Sequence, residues 1–182
     1  MKKALKSTGQ ILLGVVVLVI VAGFFLPDST HVERSVVINA PQRQVFDFLN
    51  SYRNFNDWSP WAKLDPNAQY QFSGPQSGVG AKMSWRSDDP KVGQGYQEII
   101  AVKEAEEIQV TLDFGDNGQA SAFYRLQPAD SGVRVTWGFD TEHGFNLFNR
   151  YIGLMLERLL APMYEEGLQS LKQRIENPGA AS

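Results

Sequence analysis

From Ser7 to Pro27 the chain carries no charged side chain, and Ile11 to Leu26, ILLGVVVLVIVAGFFL, is almost wholly apolar. This run constrains the chain more than any other. A helix rising ~1.5 Å per residue over that length just crosses a hydrocarbon layer of ~30 Å. Backbone groups in lipid must bond internally, so a single segment there has to be helical. Lys2, Lys3 and Lys6 precede the run, and Asp28 and Glu33 follow it. The cationic flank stays on the cytoplasmic side, which places everything after residue 30 outside. A cleaved signal peptide is the rival reading. It fits less well, because Val21–Gly23 is a poor small-residue cleavage site followed by Phe24, Phe25 and Leu26. The expectation is a single-pass protein of the cytoplasmic (inner) membrane, held through residues 7–27, with an extracytoplasmic domain.

The remainder is long enough for one domain with a real core: the chain has 182 residues, 43% hydrophobic and 12% aromatic. A formal net charge of -3 argues against nucleic acid as a partner, which needs a basic face. With no cysteine, disulfides and thiol chemistry are excluded.

After the run the periodicity is that of a strand, then helix, then sheet, then helix. His31–Pro41 alternates Val32, Arg34, Val36 and Ile38 against Glu33, Ser35, Val37 and Asn39. Pro41 opens a short helix with Val45, Phe46 and Leu49 on one side, capped at Asn39 or Ala40, and a second short turn leads into NDWSPWAKLDP. Period-two segments follow: Tyr70 and Phe72; Ala81, Met83 and Trp85; Ile108, Val110, Leu112 and Phe114; Ala120, Ala122, Tyr124 and Leu126; Val133, Val135, Trp137 and Phe139. Turn signals such as GDNG and PADSG separate them, so an antiparallel sheet with one dry face is expected. In Gly93–Lys103 the set Tyr96, Glu98, Ile100 and Val102 is the more apolar and carries Glu98 into the cavity if it faces inward, while Gly93 and Gly95 invite a bulge that sends Glu98 to water, so both orientations stay open. From Asn146 to Asn177 the period changes to three and four: Phe148, Ile152, Met155, Leu159 and Met163, then Leu168, Leu171 and Ile175. This predicts a long amphipathic helix laid on the dry face of the sheet, kinked or broken at Pro162. Three parts follow: 1–30, basic tip and transmembrane anchor; 31–177, the folded domain; 178–182, a disordered tail.

VINAPQRQVFDFLNSYRNFNDWSPW, GYQEIIAVKEAEEI, GVRVTWGFD and MYEEGLQSLKQ resemble the START-like, polyketide cyclase/dehydrase-type superfamily (SRPBCC), which includes the Bet v 1-like proteins. The resemblance covers about residues 32–175. It implies an α+β helix-grip fold: a curved antiparallel seven-stranded sheet around a long C-terminal helix, here with one N-terminal transmembrane helix added. It also implies a cavity between sheet and helix for a hydrophobic molecule. It supplies no shared catalytic signature.

The residues placed around such a cavity are Trp58, Trp61, Phe72, Met83, Trp85, Tyr96, Glu98, Tyr124, Trp137, Tyr151 and Met155. Trp58 and Trp61 either gate the mouth or pack the corner; large aromatics mostly pack, so at least one is expected to be core. Pro60 between them restricts the chain in either role. An inward Glu98 would have a raised pKa and serve as an acid or a ligand hydrogen bonder, the one weak catalytic candidate. His31 and His143 are far apart and lack cysteines, so no metal site is expected, and no cofactor loop is present. The expected role is non-catalytic binding of a hydrophobic or amphipathic small molecule, lipid- or isoprenoid-like, beside the membrane. The alternatives are a cyclase- or lyase-like enzyme using a cavity carboxylate, and a cell-envelope interaction module with no open cavity.

Overall fold

The structure is a computed structural model describing residues 2–179, with side chains from residue 10 onward. The basic tip Lys2, Lys3 and Lys6 and the last three residues of the tail, 180–182, lie outside what is described at side-chain level. The chain forms α1 (Lys2–Gly23), β1 (Ser29–Ile38), α2 (Gln42–Leu49), a 3-10 turn (Tyr52–Asp57), α3 (Pro60–Leu64), β2 (Gln69–Ser73), β3 (Lys82–Arg86), β4 (Gln94–Lys103), β5 (Glu107–Asp113), β6 (Gln119–Ala129), β7 (Gly132–Glu142) and α4 (Leu147–Glu176). The strands make one sheet in the order β1-β7-β6-β5-β4-β3-β2. Every pairing is antiparallel.

β2 to β7 form a meander, because each connection is a short turn. β1 closes the far edge against β7, and the segment from α2 to α3 crosses from one sheet edge to the other. The dry face carries Val32, Val36, Ile38, Met83, Ile99, Ile108, Val110, Tyr124, Leu126, Val133, Val135 and Trp137, all buried. Alternation places these side chains on one face, as the period-two pattern of β1, β3, β5, β6 and β7 predicts.

In β4 the buried residues before the bulge are Gln97 and Ile99 rather than Glu98 and Ile100. Gly95 sets this register. A Cβ there would lie 2.3 Å from the Asp113 carbonyl oxygen and 2.7 Å from the Trp85 ring, so the indole occupies the space in front of the glycine. Gly95 is therefore inward, and Gln97 and Ile99 with it. Ile100 is then an extra residue between Ile99, paired with Val110, and Ala101, paired with Gln109. The bulge returns Val102 to the dry side and leaves Ile100 exposed.

α4 is continuous through Pro162, so the proline does not break it into two helices. Pro162 is on the exposed side, where water can serve the carbonyl that loses its donor. The helix runs along β1: Gly153 lies against Thr30, and the Lys172 ammonium donates to the Val37 carbonyl at 2.7 Å. Only its C-terminal half buries the stripe that the sequence suggests, through Ala161, Tyr164, Leu168, Leu171 and Ile175. In the N-terminal half the inward side is Arg150 and Gly153, and Phe148, Ile152, Met155 and Leu159 are exposed.

Among the described residues no helix is long and apolar enough to cross a membrane.

Candidate functional site

The space between the sheet and α4 is filled from the side by the segment 50–64. Ser51 caps the 3-10 turn, and Pro60 opens α3, where its missing N–H costs nothing. The loop between them carries Trp58 into the centre. Trp137 of β7 is the hub. Trp58 meets it edge-on with ring centroids 5.0 Å apart, Trp61 does the same at 5.5 Å, and Tyr124 and Tyr164 stack on it at 5.7 and 4.0 Å. Phe55 meets Trp58 edge-on at 5.2 Å. α4 approaches closely enough to complete the cluster because Gly167 faces it; a Cβ there would lie 2.8 Å from Trp137 and 3.0 Å from Pro60.

Three phenols share this interior. Burial raises the Tyr52 pKa, with Glu98 adding a smaller push. It raises Tyr124 too, with Tyr52 and Tyr164 next in effect, and Tyr164, with Asp140 next. All three therefore stay protonated and able to donate a hydrogen bond. Four buried polar atoms find no partner among the described residues: Asn50 Oδ1, Tyr52 Oη, Asn56 Oδ1 and Ser59 Oγ. All belong to the stretch 50–59. Leaving such an atom unpaired costs about 1–3 kcal/mol.

The expected site residues do not form one lining. Trp58, Tyr124 and Trp137 meet in the interior, Met83 is buried beneath β2, and Trp61 closes the edge half-buried. Trp85 lies over Gly95, donates its indole N–H to the Val92 carbonyl at 3.2 Å, and packs on Phe114. Phe72 is 45% exposed. Tyr96 and Glu98 point to the opposite, wet face. There the Lys82 ammonium sits 3.4 Å from the Tyr96 ring centre and 3.5 Å from the Glu98 carboxylate. Glu98 is thus no interior acid. Tyr151 donates to the Val19 carbonyl of α1 at 2.6 Å, and Met155 is exposed. Sequence reasoning missed Tyr52, Ser59 and Tyr164. The signal for Tyr164 was its place at i, i+4, i+7 with Leu168 and Leu171.

Of the two best-formed hollows, one of ≈ 50 Å³ lies beside Tyr52, Phe72, Ala81 and Lys82. The other, of ≈ 570 Å³, is an open polar depression with Asp65, Arg86, Ser87 and Asp89 on its walls. Neither is an apolar chamber of the ~300–1,000 Å³ that small-molecule sites occupy. Among the described residues no cluster of metal-ligating side chains occurs.

One family, polyketide cyclase/dehydrase and lipid transport, matches residues 29–176. The chain belongs to that family. A Staphylococcus aureus protein of unknown function shares the family fold at a TM-score of 0.61 and 10% identity, covering 82% of this chain and 95% of its own. A protein from Arthrobacter aurescens aligns at 0.58 and 15%, covering 84% and 89%. The Aha1 dimer from Colwellia psychrerythraea aligns at 0.55 and 14%, covering 83% and 99%. At these identities the neighbours establish the fold alone. None of the curated proteins matches in sequence. In this member of the polyketide cyclase/dehydrase and lipid transport family the interior is occupied by the chain's own aromatic side chains.

Proposed function

We propose that this domain binds a hydrophobic or amphipathic small molecule, lipid- or isoprenoid-like, without chemistry, by displacing Trp58, carried on the segment 50–64, from the space between sheet and α4. The observation that carries the proposal is that the plug comes from a segment with no strand of its own and with four unpartnered buried polar atoms. Its outer ties are weak. The Lys63–Glu166 pair at 2.8 Å is more than half exposed, and the Arg174–Asp57 pair at 3.2 Å is partly exposed. Such pairs contribute about 0–1 kcal/mol each. Withdrawing one tryptophan exposes ~150–250 Å², or about 4–6 kcal/mol at ~25 cal/mol per Å². A ligand offsets that by burying roughly six methylenes at ~0.8 kcal/mol each, the length of a modest acyl or prenyl chain. The phenols of Tyr124 and Tyr164, which stay in the interior, would receive its polar end.

The same proposal sets the domain, residues 31–177, beside a cytoplasmic membrane, with residues 7–27 as the anchor, the N-terminus inside and the domain outside. Its support is the uncharged run and the exposure of Ile11, Leu12, Leu13 and Leu18 along α1. Tethering confines the pocket to the layer where such ligands leave the bilayer and raises their effective concentration.

The test is mass spectrometry of lipids retained by the detergent-extracted full chain, together with titration of an anilinonaphthalene probe. The expected result is one retained apolar molecule per chain, or saturable probe binding that Trp58→Ala strengthens. A second reading, an envelope interaction module with a closed interior, is favoured by the filled core. Absence of both retained lipid and probe binding would establish it in place of the first.

A further inference from the structure

The N-terminal half of α4 carries an apolar row that the fold leaves uncovered. Phe145 is 88% exposed, Phe148 72% and Met155 57%, with Ile152 between them. The spacing 148, 152, 155 is that of one helix face, and Phe145 adjoins it in the turn before the Asn146 cap. Between residues 145 and 156 only one side chain is charged, Arg150, and it does not face outward. Its guanidinium donates to the carbonyls of Gly144 at 2.8 Å, Leu26 at 3.0 Å and Phe24 at 3.2 Å. Two of those carbonyls belong to the end of α1 and the turn after it, so the cation also meets the negative end of that helix dipole.

The row is continuous with α1. Gly23 lies against Leu147 and Tyr151, and the Tyr151 hydroxyl reaches the Val19 carbonyl. Phe24 and Phe25 are exposed beside them. Val19 is four residues before the end of α1 at Gly23, about 6 Å along the helix. That is the depth, ~5–10 Å, to which an interfacial helix buries its apolar side. A hydroxyl at such a depth has no water partner, and Tyr151 has an internal one.

We infer that the turn and first helical turns from Phe145 to Met155 sit in the bilayer interface, making a second membrane contact packed on the anchor. The partner is the lipid surface itself. This rests on the anchor reading proposed above. The domain is then held at a fixed tilt on the membrane instead of swinging on a tether, since Arg150 and Tyr151 lock α4 to α1. α4 leads away along β1, so Leu159 and the residues after it rise out of the layer.

The chain has no cysteine, which permits clean single-site labelling. Val16→Cys, Phe148→Cys, Met155→Cys and Gln169→Cys would be labelled with an environment-sensitive dye. Each full-length variant would be reconstituted into phosphatidylcholine–phosphatidylglycerol vesicles containing spin-labelled acyl chains, with circular dichroism confirming the fold. The expected result is quenching at Val16 and Phe148 at least threefold above Gln169, with Met155 in between. Quenching at Val16 with Phe148 at the level of Gln169 would overturn the inference and leave the anchor standing. No quenching at any site would remove the anchor and this inference together. Unquenched Phe148 and Met155 variants that oxidise to covalent dimers would assign the row to a second copy of the chain, also overturning it.

Discussion

Trp58→Ala tests the plug directly. The indole is 2% exposed and touches Phe55, Tyr124 and Trp137 edge-on. Truncation removes its transfer free energy and leaves a cavity, for which Trp→Ala changes cost about 3–5 kcal/mol. Collapse around the void is limited because Trp137 is held by Tyr124 and Tyr164 stacked on it and by Trp61 edge-on. The upper half of that range is therefore expected. For a chain of this size each kcal/mol moves the midpoint by about 2–4 °C, so thermal unfolding in detergent should shift down by roughly 8–20 °C. Trp61→Ala, at the half-buried edge, should cost clearly less. A loss below about 1 kcal/mol for Trp58→Ala, or equal losses for the two, would show that the indole is not the central support of the interior. An apolar probe added to Trp58→Ala should recover part of the lost stability by mass action.

Gly167→Ala places a methyl 2.8 Å from Trp137 and 3.0 Å from Pro60. Overpacking of about 1–3 kcal/mol should exceed the ~1 kcal/mol gained in helix propensity, giving a net loss in denaturant unfolding that Gly14→Ala, with open space around it, does not share. The His31 pKa is raised chiefly by its hydrogen bond to Asp140, with Glu33 adding to it. The associated stability is complete below the ordinary histidine value and lost as pH rises through the raised one. Both partners are about half exposed, so the loss should stay within the ~1 kcal/mol of a surface pair and vanish in His31→Gln, as pH-dependent thermal melts would show. Glu98→Gln removes only the exposed-face contact with Lys82, so stability should fall by less than about 1 kcal/mol and any retained lipid should persist in mass spectrometry of the purified variant.

Where one face of an element is uniformly dry, residue pattern and structure agree. β5, β6 and β7 pair without a register shift, so Ile108, Tyr124 and Trp137 could be placed from spacing alone. β4 could not, because its parity is set by a contact between strands: the Trp85 ring lies over Gly95, and no count along Gly93–Lys103 contains that pairing. Glu98 followed the parity outward and took the only catalytic candidate with it. α4 failed for a different reason. Phe148, Ile152, Met155 and Leu159 have the spacing of a buried stripe, but helical periodicity reports that a face is apolar, not what covers it. The covering on the sheet side comes instead from Gly153, against which a Cβ would meet His143 and Thr30, and from Arg150 bonded to the end of α1. A small residue and a charged one, both poor core residues by composition, thus mark where the N-terminal half of α4 docks, while Phe148, Ile152, Met155 and Leu159 of that half face away from the domain. That inversion is the arrangement expected of a helix whose second partner lies outside the chain.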